Sequence, residues 1–198
     1  DRCAVPSLDN TTLGEHLSNM STERFDIAVV GGGMVGLTLA LGLEGVGARV
    51  AVIERARLKD IAEASFDGRG SAIAAGSQRI LDGTGLWDLL QADAEPIREI
   101  RVADGPSQLF LHYDHREVGE DPLGWIVENA HIRRAFAQAV ASSDVIVFEN
   151  TALADARFEA RSTTLKLADG RTVDAMLAIA ADGRQSALRE LAGIDVVR

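Results

Sequence analysis

Residues 25–36 read FDIAVVGGGMVG, and residues 37–54 continue LTLALGLEGVGARVAVIE. Phe25–Val30 is a short run of apolar and β-branched residues, the composition of a strand buried on both faces. Three glycines follow at once. Met34–Leu43 then runs for ten residues without a charge, which predicts a helix buried on most of its circumference and ended by Glu44, Gly45 and Gly47. Arg49–Ile53 is a second buried strand, closed by Glu54. Strand, helix and strand within about thirty residues make a βαβ unit, and its right-handed crossover sets the two strands parallel. The fold class is therefore α/β with a parallel sheet.

Gly31, Gly33 and Gly36 stand in the G-x-G-x-x-G positions. The first permits the tight turn out of the strand, the second lets a pyrophosphate approach the backbone, and the third lets the helix pack close to the strand. Met34 and Val35 open the helix, so their amides and the positive end of the helix dipole face the phosphates. Glu54 lies at the tip of the next strand, where an acid can bind a ribose hydroxyl pair and repel a 2′-phosphate. Arg55, directly after it, is a further candidate for cofactor contact. Glycine loop, flanking strand and helix, and acid together predict dinucleotide binding. On these residues alone the dinucleotide is FAD or NAD.

Composition narrows the function classes. With 46% hydrophobic and 25% charged residues, the 198-residue chain has the balance of a folded globular protein rather than a disordered one. Thirty acids against twenty bases argue against a nucleic-acid-binding surface. The same acidity means that phosphates must be held by local backbone dipoles rather than by bulk charge. No apolar run reaches the roughly 18 residues that span a bilayer. A single cysteine, Cys3, excludes an intramolecular disulfide and a multi-cysteine zinc site. Residues 1–19 are polar and lack the basic start and apolar core of a signal peptide. They are expected to be a disordered or added tail ahead of a natural start at Met20, and the default location is cytoplasmic.

Further along, Ser71–Leu81 reads as a helix with Ala72, Ile73, Ala75 and Ile80 as core contacts, and Leu86–Leu90 as a helical turn. Ile97–Ala103 alternates as a strand, and Leu109–Tyr113 pairs with it across an Asp104-Gly105-Pro106 turn. Gly124–Val127 is a third strand beside them. Ile132, Ala135, Phe136, Ala139 and Val140 form one stripe of a helix over 130–142, and Val145–Phe148 is a buried strand. Residues 152–160, 163–168 and 171–180 predict a β-meander, with Asp169-Gly170 as a type I′ hairpin turn. Asp182-Gly183 instead ends an apolar strand and precedes a helix start at 184–189. That places the acid at the carboxyl end of the sheet, where α/β folds bind ligands. Arg69, in FDGRG, offers a guanidinium fork for a phosphate. His112, His115 and His131 read as solvated side chains. The spacing of His112 and His115 does not fit the zinc motif H-E-x-x-H.

GGGMVG, FDGRGSAIAAGSQRIL and AADGRQSALRELAGI, in this order, resemble the N-terminal half of the class A flavoprotein aromatic hydroxylases, and within them the ubiquinone-biosynthesis hydroxylases. GWIVENAHIRRAF resembles the segment leading into that family's long helix. The resemblance covers residues 25–194. It implies a Rossmann-like FAD-binding fold with a parallel sheet, a β-meander and the start of a second, substrate-side sheet at about 97–127. Residues 20–198 are then the N-terminal part of the FAD-binding domain. The cofactors implied are FAD and NAD(P)H. Gly31, Gly33, Met34, Val35 and Gly36 would serve the pyrophosphate, and Glu54 and Arg55 the adenosine side. Arg69 would match the arginine near the phosphates and Arg133 the FAD-contacting arginine of the helix, with Arg134 as its neighbouring alternative and Asn129 as a ribityl candidate. Asp182 and Gly183 would match the family's DG motif. The implied activity is FAD- and NAD(P)H-dependent hydroxylation of a polyprenylated phenol in ubiquinone biosynthesis, with no catalytic side chain assigned in this chain. Peripheral contact with the inner membrane or with a biosynthetic complex follows from such a substrate. The family chain is about twice this long, and its second FAD motif has no counterpart here. Two alternatives stand beside this reading: a non-catalytic dinucleotide-binding fragment, and a related flavoprotein with a different substrate.

Overall fold

The computed structural model describes residues 23–65, 67–105 and 109–196. The expected tail at 1–19, the start at Met20, Phe66 of the FDGRG segment and Pro106 of the predicted turn lie outside them. Along the chain run β1 (Glu23–Val30), α1 (Met34–Glu44), β2 (Val50–Ile53), α2 (Leu58–Glu63), β3 (Gly70–Ala74) and α3 (Ala75–Gly83). Short 3-10 turns at Trp87–Leu89 and Gln91–Asp93 lead to β4 (Glu95–Ile97), β5 (Glu99–Ala103) and β6 (Phe110–Asp114). Then follow β7 (Gly124–Glu128), α4 (Asn129–Ala141), β8 (Ile146–Phe148), β9 (Leu153–Phe158), β10 (Thr163–Leu167), β11 (Thr172–Ala180) and α5 (Ala187–Leu191).

The main sheet has the order β8-β2-β1-β11-β10-β9. β8, β2, β1 and β11 are parallel, while β9, β10 and β11 form the antiparallel meander. Strand alternation sorts the apolar side chains to two faces. Val29, Val50 and Val52 pack on one face with Leu37 and Leu41 of α1 and Ile132, Phe136 and Val140 of α4. Phe25, Ala28, Val30, Ala51 and Ile53 pack on the other with Leu165, Val173 and Leu188. Burial of each of the larger of these side chains contributes about 1.5–3 kcal/mol. The α/β class, the βαβ unit, the meander and the apolar stripe of α4 are therefore as the sequence predicts, and α1 is only partly exposed beyond its first turn.

Four local expectations are corrected. Ser71–Leu81 is not one helix: Gly70–Ala74 is a strand paired antiparallel with Glu128–Gly124, and only Ala75–Gly83 is helical. Small residues in this stretch have no strong preference of their own, so the aromatic and β-branched partner Trp125-Ile126-Val127 decides. Ile73 is core, but Ala72 and Ile80 are exposed. Ile97–Ala103 is likewise divided. β4 joins β7 and β3 in a three-stranded sheet, whereas β5 pairs only with β6. The third strand thus belongs to a different sheet from the β5–β6 hairpin. Finally, the 169–170 turn is not type I′, because Gly170 has φ +90° while Asp169 keeps a negative φ. The Gly170 amide donates to the Leu167 carbonyl at 3.0 Å, and Leu167 donates to Arg171, so the connection has three residues. His131 is half-buried rather than solvated, with Nδ1 2.7 Å from Asp93 and Nε2 3.7 Å from Glu128. His115 is also half-buried.

Candidate cofactor-binding site

The glycine turn is built by the carboxyl ends of β1 and β11 together. Ala181 donates its amide to the Val30 carbonyl at 2.7 Å, and Gly31 donates to the Ile53 carbonyl at 2.9 Å. Gly31 has φ +106°, and a side chain there would collide with the Ala181 carbonyl and the Asp182 backbone. A side chain on Gly36 would drive into the Gly31 carbonyl oxygen. Two of the three motif glycines are thus required by the chain's own backbone. Gly33 differs: nothing lies within 4 Å of where its Cβ would be, so its bare side faces open space. The first intrahelical bond of α1 runs from Leu37 to the Gly33 carbonyl at 2.9 Å. The amides of Met34, Val35 and Gly36 therefore have no partner within the helix. No side chain caps this end and no acid sits in its first turn, which leaves the positive dipole end free for an anion.

Glu54 is folded against the turn. Its Oε2 accepts the Gly32 amide at 2.6 Å and its Oε1 the Ala56 amide at 2.9 Å. Two cavities of about 320 Å³ each flank this ridge, and Gly33 and Glu54 line both. The first also has Met34, Ser71, Asn129, Arg133 and Phe136 on its walls. The second has Gly31, Arg55, Thr151, Leu153, Asp182 and Gly183. Of the residues singled out in the sequence, Gly31, Gly33, Met34, Glu54, Arg55, Arg133, Asn129, Asp182 and Gly183 are brought to these two cavities. Gly36 lies buried beneath the turn, and Val35 points away from both cavities and is 75% exposed.

The charged groups separate clearly. One oxygen of Asp182 accepts the amides of Ala187 and Leu188 at 2.7 and 3.4 Å and so caps α5. Its other oxygen is buried and has no partner among the described residues. Arg133 is largely buried, reaches the Ala64 and Ser65 carbonyls at 3.4 and 3.3 Å and Asp67 at 3.4 Å, and keeps Nε buried with no partner among the described residues. Arg134, one residue on, faces solvent. Asn129 accepts the Ser71 hydroxyl at 2.7 Å. Arg69 does not join the cavities: its side chain is 73% exposed and lies on Asp67 at 2.7 and 3.1 Å. This guanidinium holds the Asp67 carboxyl down at about 2.

Sequence reading missed Gly32, Ser71 and Thr151. Thr151 is buried and follows β8, the third parallel strand, whose carboxyl end opens on the same crevice. Its position after an apolar VIVF run was the available signal. The residues present fit a dinucleotide. A bare, positive helix end lies at a ridge between two cavities, as a molecule of two halves joined by a pyrophosphate requires. Buried, unsatisfied atoms of Asp182 and Arg133 stand on opposite sides of it.

The comparisons with known proteins agree with this geometry. The chain is 44% identical over 176 residues to the ubiquinone hydroxylase UbiL of Rhodospirillum rubrum, a match covering 86% of this chain and 40% of that protein. It is 36% identical over 181 residues to the 3-demethoxyubiquinol 3-hydroxylase of Escherichia coli, covering 89% of this chain and 46% of that one. Among solved structures, OxyS anhydrotetracycline hydroxylase from Streptomyces rimosus shares the fold with a TM-score of 0.71 at 24% identity, over 87% of this chain and 34% of that one. The chain thus spans less than half the length of these relatives. Residues 24–198 match the FAD binding domain family: this chain belongs to the FAD-binding-domain family.

Proposed function

We propose that this chain is the FAD-holding part of an NAD(P)H-dependent monooxygenase that hydroxylates the ring of a polyprenylated phenol in ubiquinone biosynthesis. One observation carries the reading: Gly33 and Glu54 form a ridge shared by two cavities, with the free end of α1 at its crest. The names of the Rhodospirillum and Escherichia relatives support the substrate class. In this reading the amides of Met34 and Val35 and the bare face of Gly33 receive the pyrophosphate. Glu54 accepts the ribose hydroxyls, with Arg55 and Thr151 beside the adenosine. Arg133 and Asn129 meet the opposite half, and the free oxygen of Asp182 takes a cofactor hydroxyl or an ordered water. Arg69 reaches a phosphate only by leaving Asp67. Bound FAD, reduced by NAD(P)H, would supply oxygen activation and transfer of one oxygen atom to the ring. The chain's residues bind and orient it and keep water from its inner edge.

The β3-β4-β7 sheet and the β5–β6 hairpin are the substrate side in this reading, and the remaining substrate wall comes from elsewhere in a longer protein. No helix among the described residues is long and apolar enough to cross a membrane. Access to a prenylated phenol then calls for a peripheral position at the inner membrane from the cytoplasm. The test has two parts. The chain itself should bind FAD, read by quenching of flavin fluorescence. A longer protein containing it should oxidise NAD(P)H and consume oxygen only with a prenylphenol present. Failure of the chain to bind FAD in any form would reject the reading.

A non-catalytic dinucleotide-binding fragment is the second reading. FAD binding without turnover in every longer form of the protein would select it. Hydroxylation of another phenol would select a related flavoprotein of different specificity.

A further inference from the structure

Asp67, Asp114 and Asp169 each fold onto the arginine two residues later. In every case one carboxylate oxygen accepts that arginine's amide, at 3.1, 3.0 and 3.0 Å, and the other oxygen accepts its guanidinium. The first bond closes the turn, and the second is the local ion pair that goes with it. At Asp114 and Asp169 no second arginine joins the carboxylate among the described residues. Asp67 differs. Its Oδ2 accepts Nε and Nη2 of Arg69 at 3.1 and 2.7 Å, and Nη1 of Arg133 stands 3.4 Å from the same oxygen. Three guanidinium N–H groups from two chain segments thus converge on one oxygen, which has lone pairs for two.

Both arginines belong to the rim of the first cofactor cavity. Arg133 lines it from α4. The Arg69 carbonyl accepts the Asn129 amide at 3.0 Å, and Ser71, two residues on, donates its hydroxyl to Asn129 at 2.7 Å. Ser71 and Asn129 both line that cavity, so the backbone of Arg69 is fixed at its edge while its guanidinium lies on Asp67 outside it. We infer that Asp67 is a built-in competitor for the cofactor's phosphates: its carboxylate occupies Arg69 and shares Arg133, and a phosphate gains these cations only by displacing it. This role rests on the FAD reading of the site and deepens it. Carboxylate and phosphate are the two anions that a guanidinium fork recognises, so either can take the place of the other. Two cations crowded on one oxygen repel each other, whereas a pyrophosphate spreads its charge and acceptor oxygens over two groups. One residue separates Asp67 from Arg69, so the competition is intramolecular and is not diluted away. Asp67 acts through the arginines and is a positioning residue. It holds the affinity for phosphate-bearing ligands below what the two cations would otherwise give, and it leaves ligands without phosphate untouched.

The test is calorimetric titration of the chain and its Asp67→Asn variant with FAD, ADP and riboflavin. Asparagine keeps an oxygen for the Arg69 amide, so the turn is retained while the charge is removed. FAD and ADP should bind about fivefold tighter to the variant, the scale of a part-exposed ion pair, and riboflavin should bind equally to both. In an Arg69→Met background the same substitution should change ADP binding by less than twofold. A role confined to the turn predicts loss of affinity rather than gain. Unchanged or weaker FAD binding in folded Asp67→Asn overturns the inference. So does a riboflavin gain equal to the ADP gain, and so does an ADP gain that survives without Arg69, which would reflect only the removal of a negative charge. Should Asp67→Asn not fold, Asp67→Ser is read in the same way, since its hydroxyl can also accept the Arg69 amide. A parent chain that binds none of the three ligands rejects the cofactor reading and this role with it. A parent that binds FAD, with Asp67→Asn no tighter, rejects this role alone.

Discussion

The Glu54 carboxylate is fastened to the backbone amide of Gly32, 22 residues earlier in the chain, at 2.6 Å. With its second oxygen on the Ala56 amide, the acid is oriented before any ligand arrives. Side-chain freedom that would otherwise be lost on binding is already lost in folding. The position also explains the middle glycine: a Cβ on Gly32 would lie 2.9 Å from the Glu54 Cβ.

Glu54→Gln should separate charge from shape. An amide has only one acceptor oxygen, so one of the two backbone donors would face an NH2 group. The loss of a charged hydrogen bond, about 1–3 kcal/mol, should weaken FAD binding roughly tenfold to a hundredfold. Calorimetric titration with FAD measures it, and unchanged affinity would remove Glu54 from the site.

Gly33→Ala and Gly36→Ala should fail in different ways. Alanine at 36 meets the Gly31 carbonyl oxygen and forces α1 from β1, an overpacking that costs about 1–3 kcal/mol or more. Alanine at 33 meets nothing within 4 Å among the described residues, and its φ of −76° suits any residue. Urea unfolding should therefore find the first variant weakened and the second close to the parent. FAD affinity should fall in both. A Gly33→Ala chain that binds FAD normally would contradict a phosphate at this turn.

Arg133→Met should lower FAD affinity by about tenfold or more, since a buried cation contributes roughly 1.5–3 kcal/mol through a charged hydrogen bond. Arg134→Met should leave it within twofold, because Arg134 faces solvent. Fluorescence titration of the two variants side by side decides between the adjacent arginines. The reverse order would assign the contact to Arg134.

Acid should loosen the Asp169–Arg171 turn of the meander and the Asp67–Arg69 pair. Hydrogen bonds from Arg171 hold Asp169 down at about 2, against 3.8 ordinarily, as Arg69 holds Asp67. A folded-state pKa below the unfolded one gives stability that is fully present above about pH 4 and is lost as pH falls toward 2. Carboxyl carbon shifts followed from pH 6 to 2 should show both aspartates titrating late. In Arg171→Met, Asp169 should return toward its ordinary value while Asp67 does not move. Two aspartates titrating near 4 in the parent chain would contradict the paired geometry.

The βαβ unit was legible because its apolar runs, glycine spacing and terminal acid each constrain the same thirty residues or so, and the contacts involved are near in sequence. The 70–81 segment was not, because its alanines and serines accept either structure and the choice is made by Trp125–Val127, some fifty residues away. The break after Ile97 was invisible for a related reason: alternation reports burial on one side but not which sheet a strand joins. At the site, Glu54 and Asp182 could be singled out from their places at strand ends, whereas Arg133 came only from the family resemblance. The pairing of Arg69 with Asp67 could not, since the local Asp-Gly-Arg turn that folds one onto the other leaves no periodic trace.

The parallel pairing of Glu23–Val30 with Val173–Ala180 brings together cofactor-side residues about 150 positions apart. Between those strands lie both the segments that build the sheet and the site and others that belong to neither. The strands β5 and β6 lie in this interval, pair with each other in a sheet of their own and, Asp114 apart, are exposed. A foreign loop or a small folded insert spliced between these two strands should leave the main sheet paired, which makes the connection a natural place to graft a sensor or a tether onto this scaffold.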